Sequence, residues 1–242
     1  MNHSKQLLSY VRQGDFAHPG EIEAIELALG PIAKNKMHRI LDVGCGLGGS
    51  AHYLQQQGWG NVTGIDIDDE LIAHATERYS DISFMHGDIL QGDTFLNQTF
   101  HVIYCFSAFF CFDPQQTVLS QMFKVAENGC NLVLFDYSRP TEQSIDSPFP
   151  WSKTASKFNP IYLPEIKAQL QASGWNFKES RDISHQFDHW YADLLQQFEV
   201  KRDGIVSQFG EIMFSRMQEG YAQLLREIRE NRIGGIIIYA TK

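Results

Sequence analysis

The sequence predicts a doubly wound α/β fold, in which a mainly parallel seven-stranded sheet ends in an antiparallel last strand and carries a helical lid insertion. Three observations predict it. Strand-like apolar runs alternate with helical periods from Arg39 to Tyr137, a glycine-dense turn joins the first run to its helix, and an aromatic-rich helical stretch precedes the closing strand. The strands are read at residues 39–44 (RILDVG), 61–66 (NVTGID), 82–87 (ISFMHG), 100–106 (FHVIYCF) and 131–137 (NLVLFDY). Helical patterns fall between most of them, over Ser50 to Gln57, Glu70 to Tyr79 and Gln115 to Ala126, with Asp113 as N-cap and Pro114 as first helical residue of the third. Such alternation needs parallel strands covered on both faces.

Beyond Tyr137 the pattern changes. Residues 138–164 are rich in proline without a stable period and read as a long loop or lid. A helix from Pro164 to Ser173 stops at Gly174, a strand follows near Trp175 to Ile183, residues 184–231 are mostly helical, and IGGIIIYAT is the last strand. The expected organisation is one domain, residues 1–242: N-terminal helices in 1–35, a ligand-binding core in 36–138, and a lid made from 139–163 and 184–231.

Composition removes several function classes. With 43% hydrophobic and 20% charged residues in 242, the chain has the makeup of a soluble globule of about one domain. A net charge of -9, without a basic run interleaved with aromatics, argues against nucleic acid. No segment has the apolar length of a membrane span, and MNHSKQLLSYVRQGDF lacks the pattern of a secretory leader. Cys45, Cys105, Cys111 and Cys130 form no CxxC pair, which fits a reducing cytoplasm. A small molecule is left as the expected partner, in a monomer or homodimer.

The turn at RILDVGCGLGGSAHYL carries the chemistry. Gly44, Gly46 and Gly49 satisfy G-x-G-x-x-G, and Asp66 lies where a ribose-binding acid would follow, so the glycines alone admit a dinucleotide. Asp42 discriminates. It stands inside the first strand two residues before Gly44, where its carboxylate would repel a pyrophosphate and attract a cationic ligand.

The string LDVGCGLGG resembles motif I (D/E-x-G-x-G-x-G) of the class I S-adenosylmethionine-dependent methyltransferases, whose fold is Rossmann-like. GIDID resembles the acidic end of their second strand, and HGDI the element that reads adenine, in the same order and spacing. The resemblance implies S-adenosyl-L-methionine as cofactor and S-adenosylhomocysteine as product. It also implies a binding set of Asp42, Gly44, Cys45, Gly46, Asp66, Ile67, Asp88, Ile89 and Cys105. Asp66 would accept the ribose hydroxyls, Ile67 pack on adenine, Asp88 accept the adenine amino group, the Ile89 amide meet a ring nitrogen, and Asp42 meet the methionine ammonium. Taken singly, each acid also fits a turn or helix cap; Asp68 and Asp69 are read as caps.

FAHPGEIEAIELALGPI before the first strand, and DISHQFDHWYADLLQQFEVKRDGI with GGIIIYATK near the end, resemble the phosphoethanolamine and sarcosine/dimethylglycine methyltransferases. The chain departs from them where phosphoethanolamine enzymes carry an Asp and a His four residues apart, for YCFSAFFCF places Ser107 and Cys111 there. Ser156 and Phe158 occupy phosphate-gripping positions, with Lys153 and Lys157 close by, and His101 stands where many members have Asp. The first two departures argue against phosphoethanolamine itself, while the change at His101 bears on loop structure more than on chemistry.

A neutral amine acceptor needs positioning more than a base. If a proton must be taken, the candidates are His18, Asp136, Tyr137, His185 and His189, with Asp136 and Tyr137 favoured because they end the fifth strand at the carboxyl edge of the sheet. A loop-capping acid and a partly buried phenol explain that pair equally well. His185, His189 and Asp193 fall at i, i+4 and i+8, but without a companion HExxH or cysteine ligand no metal is expected. Trp151, Phe187, Trp190 and Tyr191 could wall a methylated amine or be core. The expected activity is methyl transfer to a small molecule, most readily an amine. O- or C-methylation of an apolar molecule and non-catalytic cofactor binding are its rivals.

Overall fold

The computed structural model describes residues 3–92, 98–143, 148 and 158–242. Helices α1 (His3–Arg12) and α2 (Glu21–Leu29) precede the alternating core: β1 (Arg39–Val43), α3 (Gly49–Gln56), β2 (Asn61–Asp66), α4 (Asp69–Arg78), β3 (Ser83–His86), β4 (Phe100–Phe106), α5 (Gln115–Val125) and β5 (Ala126–Arg139). Then come β6 (Ile161–Tyr162), α6 (Leu163–Ala172), β7 (Asn176–Asp182), α7 (Ser184–Val200), α8 (Arg202–Phe209), α9 (Glu211–Arg229) and β8 (Gly234–Thr241). Short 3₁₀ turns span Ile89–Gln91 and Phe109–Cys111.

The sheet order is β3-β2-β1-β4-β5-β8-β7, with β6 paired to β5 beside that path. Strands β1 to β6 pair in parallel, while β8 lies antiparallel between β5 and β7. The mainly parallel sheet with its reversed last strand is therefore as the sequence predicts. Strand order reverses between β1 and β4, and a crevice opens outside the carboxyl ends of the strands at such a point.

Side-chain parity assigns the two faces. Ile40, Tyr104, Phe106, Val133, Phe135 and Tyr137 join one buried cluster with α1, α2, α3, α7, α8 and α9. Leu41, Val43, Ile103, Cys105, Leu132 and Leu134 join the other, with α5 and α6. Along α9, Phe214, Met217, Tyr221, Leu224, Leu225 and Ile228 recur at three- and four-residue spacing and form its buried stripe.

Three details differ from the sequence expectation. Pro114 has an extended ψ of 135° and stands outside α5 as its N-cap, so Gln115 is the first helical residue. Strand β5 begins at Ala126, five residues earlier than read, with Ala126 paired to Phe100 of β4, and it continues past the apolar stretch to Arg139. Strand β6 was not legible: two residues, Ile161 and Tyr162, pair with Ser138 and Arg139 inside the stretch read as loop. Much of that stretch, including Trp151, Lys153, Ser156 and Lys157, lies outside the described residues.

Candidate active site

The turn after β1 is built on backbone conformations that exclude most side chains. Gly44 has φ +79°, and a Cβ there would come within 2.5 Å of the Ala108 methyl. Gly46 has φ +55° but open space over it: the nearest atoms to a built Cβ, Ala17 Cβ and Lys5 Nζ, lie 3.7 Å away. The protein thus crowds Gly44 and leaves Gly46 bare, as a backbone that must meet a ligand requires.

Asp66 ends β2 beside this turn. Its Oδ2 accepts from the Gly46 amide at 2.8 Å and its Oδ1 from the Asp68 amide at 3.0 Å, so each oxygen keeps a lone pair for a further donor. Ile67 follows, 67% exposed, an apolar side chain left in solvent at a strand end. The Gly87 amide donates to the Asp66 carbonyl at 3.0 Å and a His86 ring N–H to the Ile67 carbonyl at 3.1 Å, which brings the end of β3 alongside. There Asp88 accepts from the Leu90 amide at 2.9 Å, acting as the cap of the 3₁₀ turn, and Ile89 is buried. Asp68 caps α4, accepting from Glu70 and Leu71.

Asp42 is the electrostatic anomaly. It is 2% exposed, shares the parity of Ile40, and pairs in register with Tyr104 of β4. Among the described residues neither Asp42 Oδ2 nor the Tyr104 hydroxyl has a hydrogen-bond partner. Burial pushes the Asp42 carboxyl up to about 7, and the Asp66 carboxylate adds to the rise. A buried acid with an orphaned oxygen is costly unless a donor or cation completes it.

On the same face of the sheet, His18 lies buried edge-on to Phe106 and Phe135. Its Nδ1 is 3.1 Å from the Pro19 carbonyl, which can only accept, so Nδ1 carries the proton and Nε2 accepts from the Ser50 hydroxyl at 2.8 Å. Burial, with the nearby Arg12 charge, holds this imidazole down at about 3. Tyr137 is buried with its hydroxyl on that of Tyr191, and burial drives its phenol well above the usual range.

The other sequence candidates lie away from the turn or in the core. Asp136 takes the parity of Leu134 and faces away from Asp42. Its Oδ2 accepts from the Phe109 and Phe110 amides at 2.7 and 3.2 Å and its Oδ1 from the Tyr137 amide at 2.7 Å, which makes it a loop-pinning acid. Burial still raises it to about 7. The Cys105 side chain is fully buried among Ile103, Phe109 and their neighbours on that same far face. His189 points outward, 61% exposed and 3.5 Å from Asp193, and His185 is exposed as well. Among the described residues no three His, Cys, Asp or Glu side chains converge. Phe187, Trp190 and Tyr191 are core, packed between α7 and β5.

Ser107 ends β4 with φ +48°, a left-handed backbone rare for a non-glycine residue. Its amide donates to Phe135, and its buried hydroxyl lacks a partner among the described residues. Cys111 closes the 3₁₀ turn that follows. Sequence reasoning missed Asp15, which accepts from Ser9 at 2.7 Å and Tyr79 at 2.8 Å, meets Arg78 at 2.7 Å, and receives the Gly49 amide on its carbonyl at 3.2 Å. No local pattern marks it; only the tertiary contacts do.

A family model described as a methyltransferase domain matches residues 40–129, the stretch from β1 into β5. That stretch holds the glycine turn, Asp42, Asp66 and Asp88. The phosphoethanolamine N-methyltransferase of Plasmodium falciparum is 25% identical over 223 residues, covering 88% of this chain and 82% of that protein. The chain spans only 41% of a longer Zea mays phosphoethanolamine N-methyltransferase, at 26% identity over 84% of this chain. Among solved structures, phosphoethanolamine N-methyltransferase 2 of Haemonchus contortus with S-adenosyl-L-methionine superposes at a TM-score of 0.90 and 15% identity, over 100% of this chain and 57% of that one. A sarcosine dimethylglycine methyltransferase assigned in Galdieria sulphuraria gives 0.82 at 15% identity, over 100% and 98%. At these identities the structural likeness carries the fold.

Proposed function

We propose that the chain methylates a small-molecule amine in the crevice at the carboxyl ends of β1 and β4. The observation that carries this reading is Asp42: a buried carboxyl with an orphaned oxygen, beneath a bare glycine turn, suits a cationic cofactor and not a pyrophosphate. In it Asp42 would hold the methionine ammonium, Asp66 the ribose hydroxyls, Ile67 one adenine face, and Asp88 with the Ile89 amide the adenine edge. Gly44, Cys45 and Gly46 would bring backbone against the cofactor. When bound, S-adenosylmethionine supplies an electrophilic methyl group on a sulfonium centre.

The acceptor would lie on the face that carries His18, Phe106, Tyr137 and Tyr191, whose burial excludes water. Asp136 is saturated by backbone amides and His18 is held neutral, so neither takes a proton from an ammonium near neutral pH. The amine gives its proton to solvent and reacts through its lone pair, with positioning as the protein's main contribution. Amines named by the relatives come first in the assay: phosphoethanolamine, sarcosine and dimethylglycine.

The test is mass-spectrometric detection of methylated product across amine, phenol and carboxylate panels. The expected result is product from an amine, with kcat/KM rising with pH until the acceptor's own ammonium has titrated. Product from a phenol or an apolar carbon centre alone would replace the amine reading. Tight cofactor binding with every panel silent would favour a regulatory one.

A further inference from the structure

We propose that Lys5, near the start of α1, is the cation that meets the α-carboxylate of the bound cofactor. This rests on the cofactor reading above and goes beyond it by assigning the methionine end a second, oppositely charged partner. On that reading Asp42, Asp66 and Asp88 surround the cofactor, which suits the sulfonium and ammonium but repels the carboxylate that the same molecule carries. A nearby cation must offset this, and the available ones can be sorted by their contacts.

Arg12 is spent on the Phe16 and His18 carbonyls and on Glu21, Arg78 on Asp15, and Lys201 on the Val11 carbonyl. Lys5 is half-buried, and among the described residues its ammonium makes no hydrogen bond or ion pair. It stands at the rim of the open space over Gly46, 3.7 Å from where a Cβ would sit. Its charge is felt in the turn, where it opposes the rise that burial, Asp42 and Asp66 impose on the Cys45 thiol.

The placement of Lys5 is fixed before any ligand arrives. Ser9, one helical turn further along α1, donates to Asp15, and Asp15 is in turn tied to α4 through Tyr79 and Arg78 and to α3 through the Gly49 amide. A flexible side chain on a fixed helix loses less freedom on binding than one on a loose terminus.

The test compares wild type with Lys5→Met and Lys5→Arg, by titration calorimetry with two ligands. One is S-adenosylhomocysteine; the other is its decarboxylated analogue, which keeps adenosine, sulfur and amine. K5M should bind S-adenosylhomocysteine roughly tenfold more weakly, the loss of about one charge-assisted contact. It should bind the decarboxylated analogue as wild type does, and K5R should retain most of the affinity. Equal weakening toward both ligands, or none toward S-adenosylhomocysteine, would overturn the assignment. Should wild type bind neither ligand, the cofactor reading itself falls and Lys5 goes with it, an outcome distinct from a K5M variant that behaves like a binding wild type.

Discussion

Asp42 and Asp136 are both fully enclosed, and burial raises both to about 7, yet the two carboxyls do different work. Asp136 receives three backbone amides and holds the Phe109–Cys111 turn, whereas Asp42 keeps an orphaned oxygen under the glycine turn. A carboxyl raised in the folded state binds its proton more tightly there than in the unfolded chain. Its burden on stability therefore grows as pH climbs from about 4 to about 7 and is constant above. Asp42→Asn should leave the ligand-free protein unchanged near pH 4 and more stable than wild type at pH 8, by on the order of 1 kcal/mol or more. The same variant should lose cofactor affinity, and wild-type affinity should rise with pH up to about 7 as the carboxyl ionises. Melting curves and calorimetry from pH 5 to 8 check both; a D42N variant that is less stable at pH 8 yet binds normally would make Asp42 a structural residue. At this scale the sequence singled out the acids around the turn but not the hydrogen bonds that hold Asp136 and His18. Tyr137 and Pro19 are chain neighbours of the two groups, but the contacts from Phe109, Phe110 and Ser50 that complete them join segments far apart in the chain.

The N-terminal helix α1 is held by one buried acid. Burial alone would raise the Asp15 carboxyl, but hydrogen bonds from Ser9, Tyr79 and His74 outweigh it and keep the group below its ordinary value. A carboxyl depressed in the folded state stabilises above its unfolded pKa, and the contribution fades as pH falls through the lower folded value. Asp15→Asn should loosen α1 by about 2 kcal/mol, since it removes acceptors from buried donors. It should speed amide exchange over residues 3–20 and weaken cofactor binding; unchanged exchange there would show that α1 is held by Leu7, Leu8 and Val11 packing alone. Elements with strong periodicity, such as α9, or with continuous apolar runs, such as β4, were legible because one face or both must be buried. Strand β6 and the early start of β5 were not, since each is set by pairing with a distant strand, β6 with β5 and Ala126 with Phe100 of β4, that no local apolar pattern announces.

Across the whole molecule, reversal of strand order between β1 and β4 places the glycine turn, Asp66 and Asp88 at one edge of the sheet and lets α1 and the α7–α9 layer cover the face beside it. The alternation of strands and helices predicted that architecture. The aromatic helices of the last third are the part a single sequence described least well, because Phe187, Trp190 and Tyr191 at helical spacing fit both a ligand wall and a core; packing against Phe135 and Tyr137 makes them core. No described helix is long and apolar enough to cross a membrane. The central claim is that an acid-lined crevice at the mouth of this sheet takes a cationic nucleoside. Calorimetric titration of the purified chain with S-adenosylmethionine and, separately, with NAD tests it most directly. Saturable binding of the first and no heat from the second is the predicted result, and saturable binding of NAD with none of S-adenosylmethionine would contradict it.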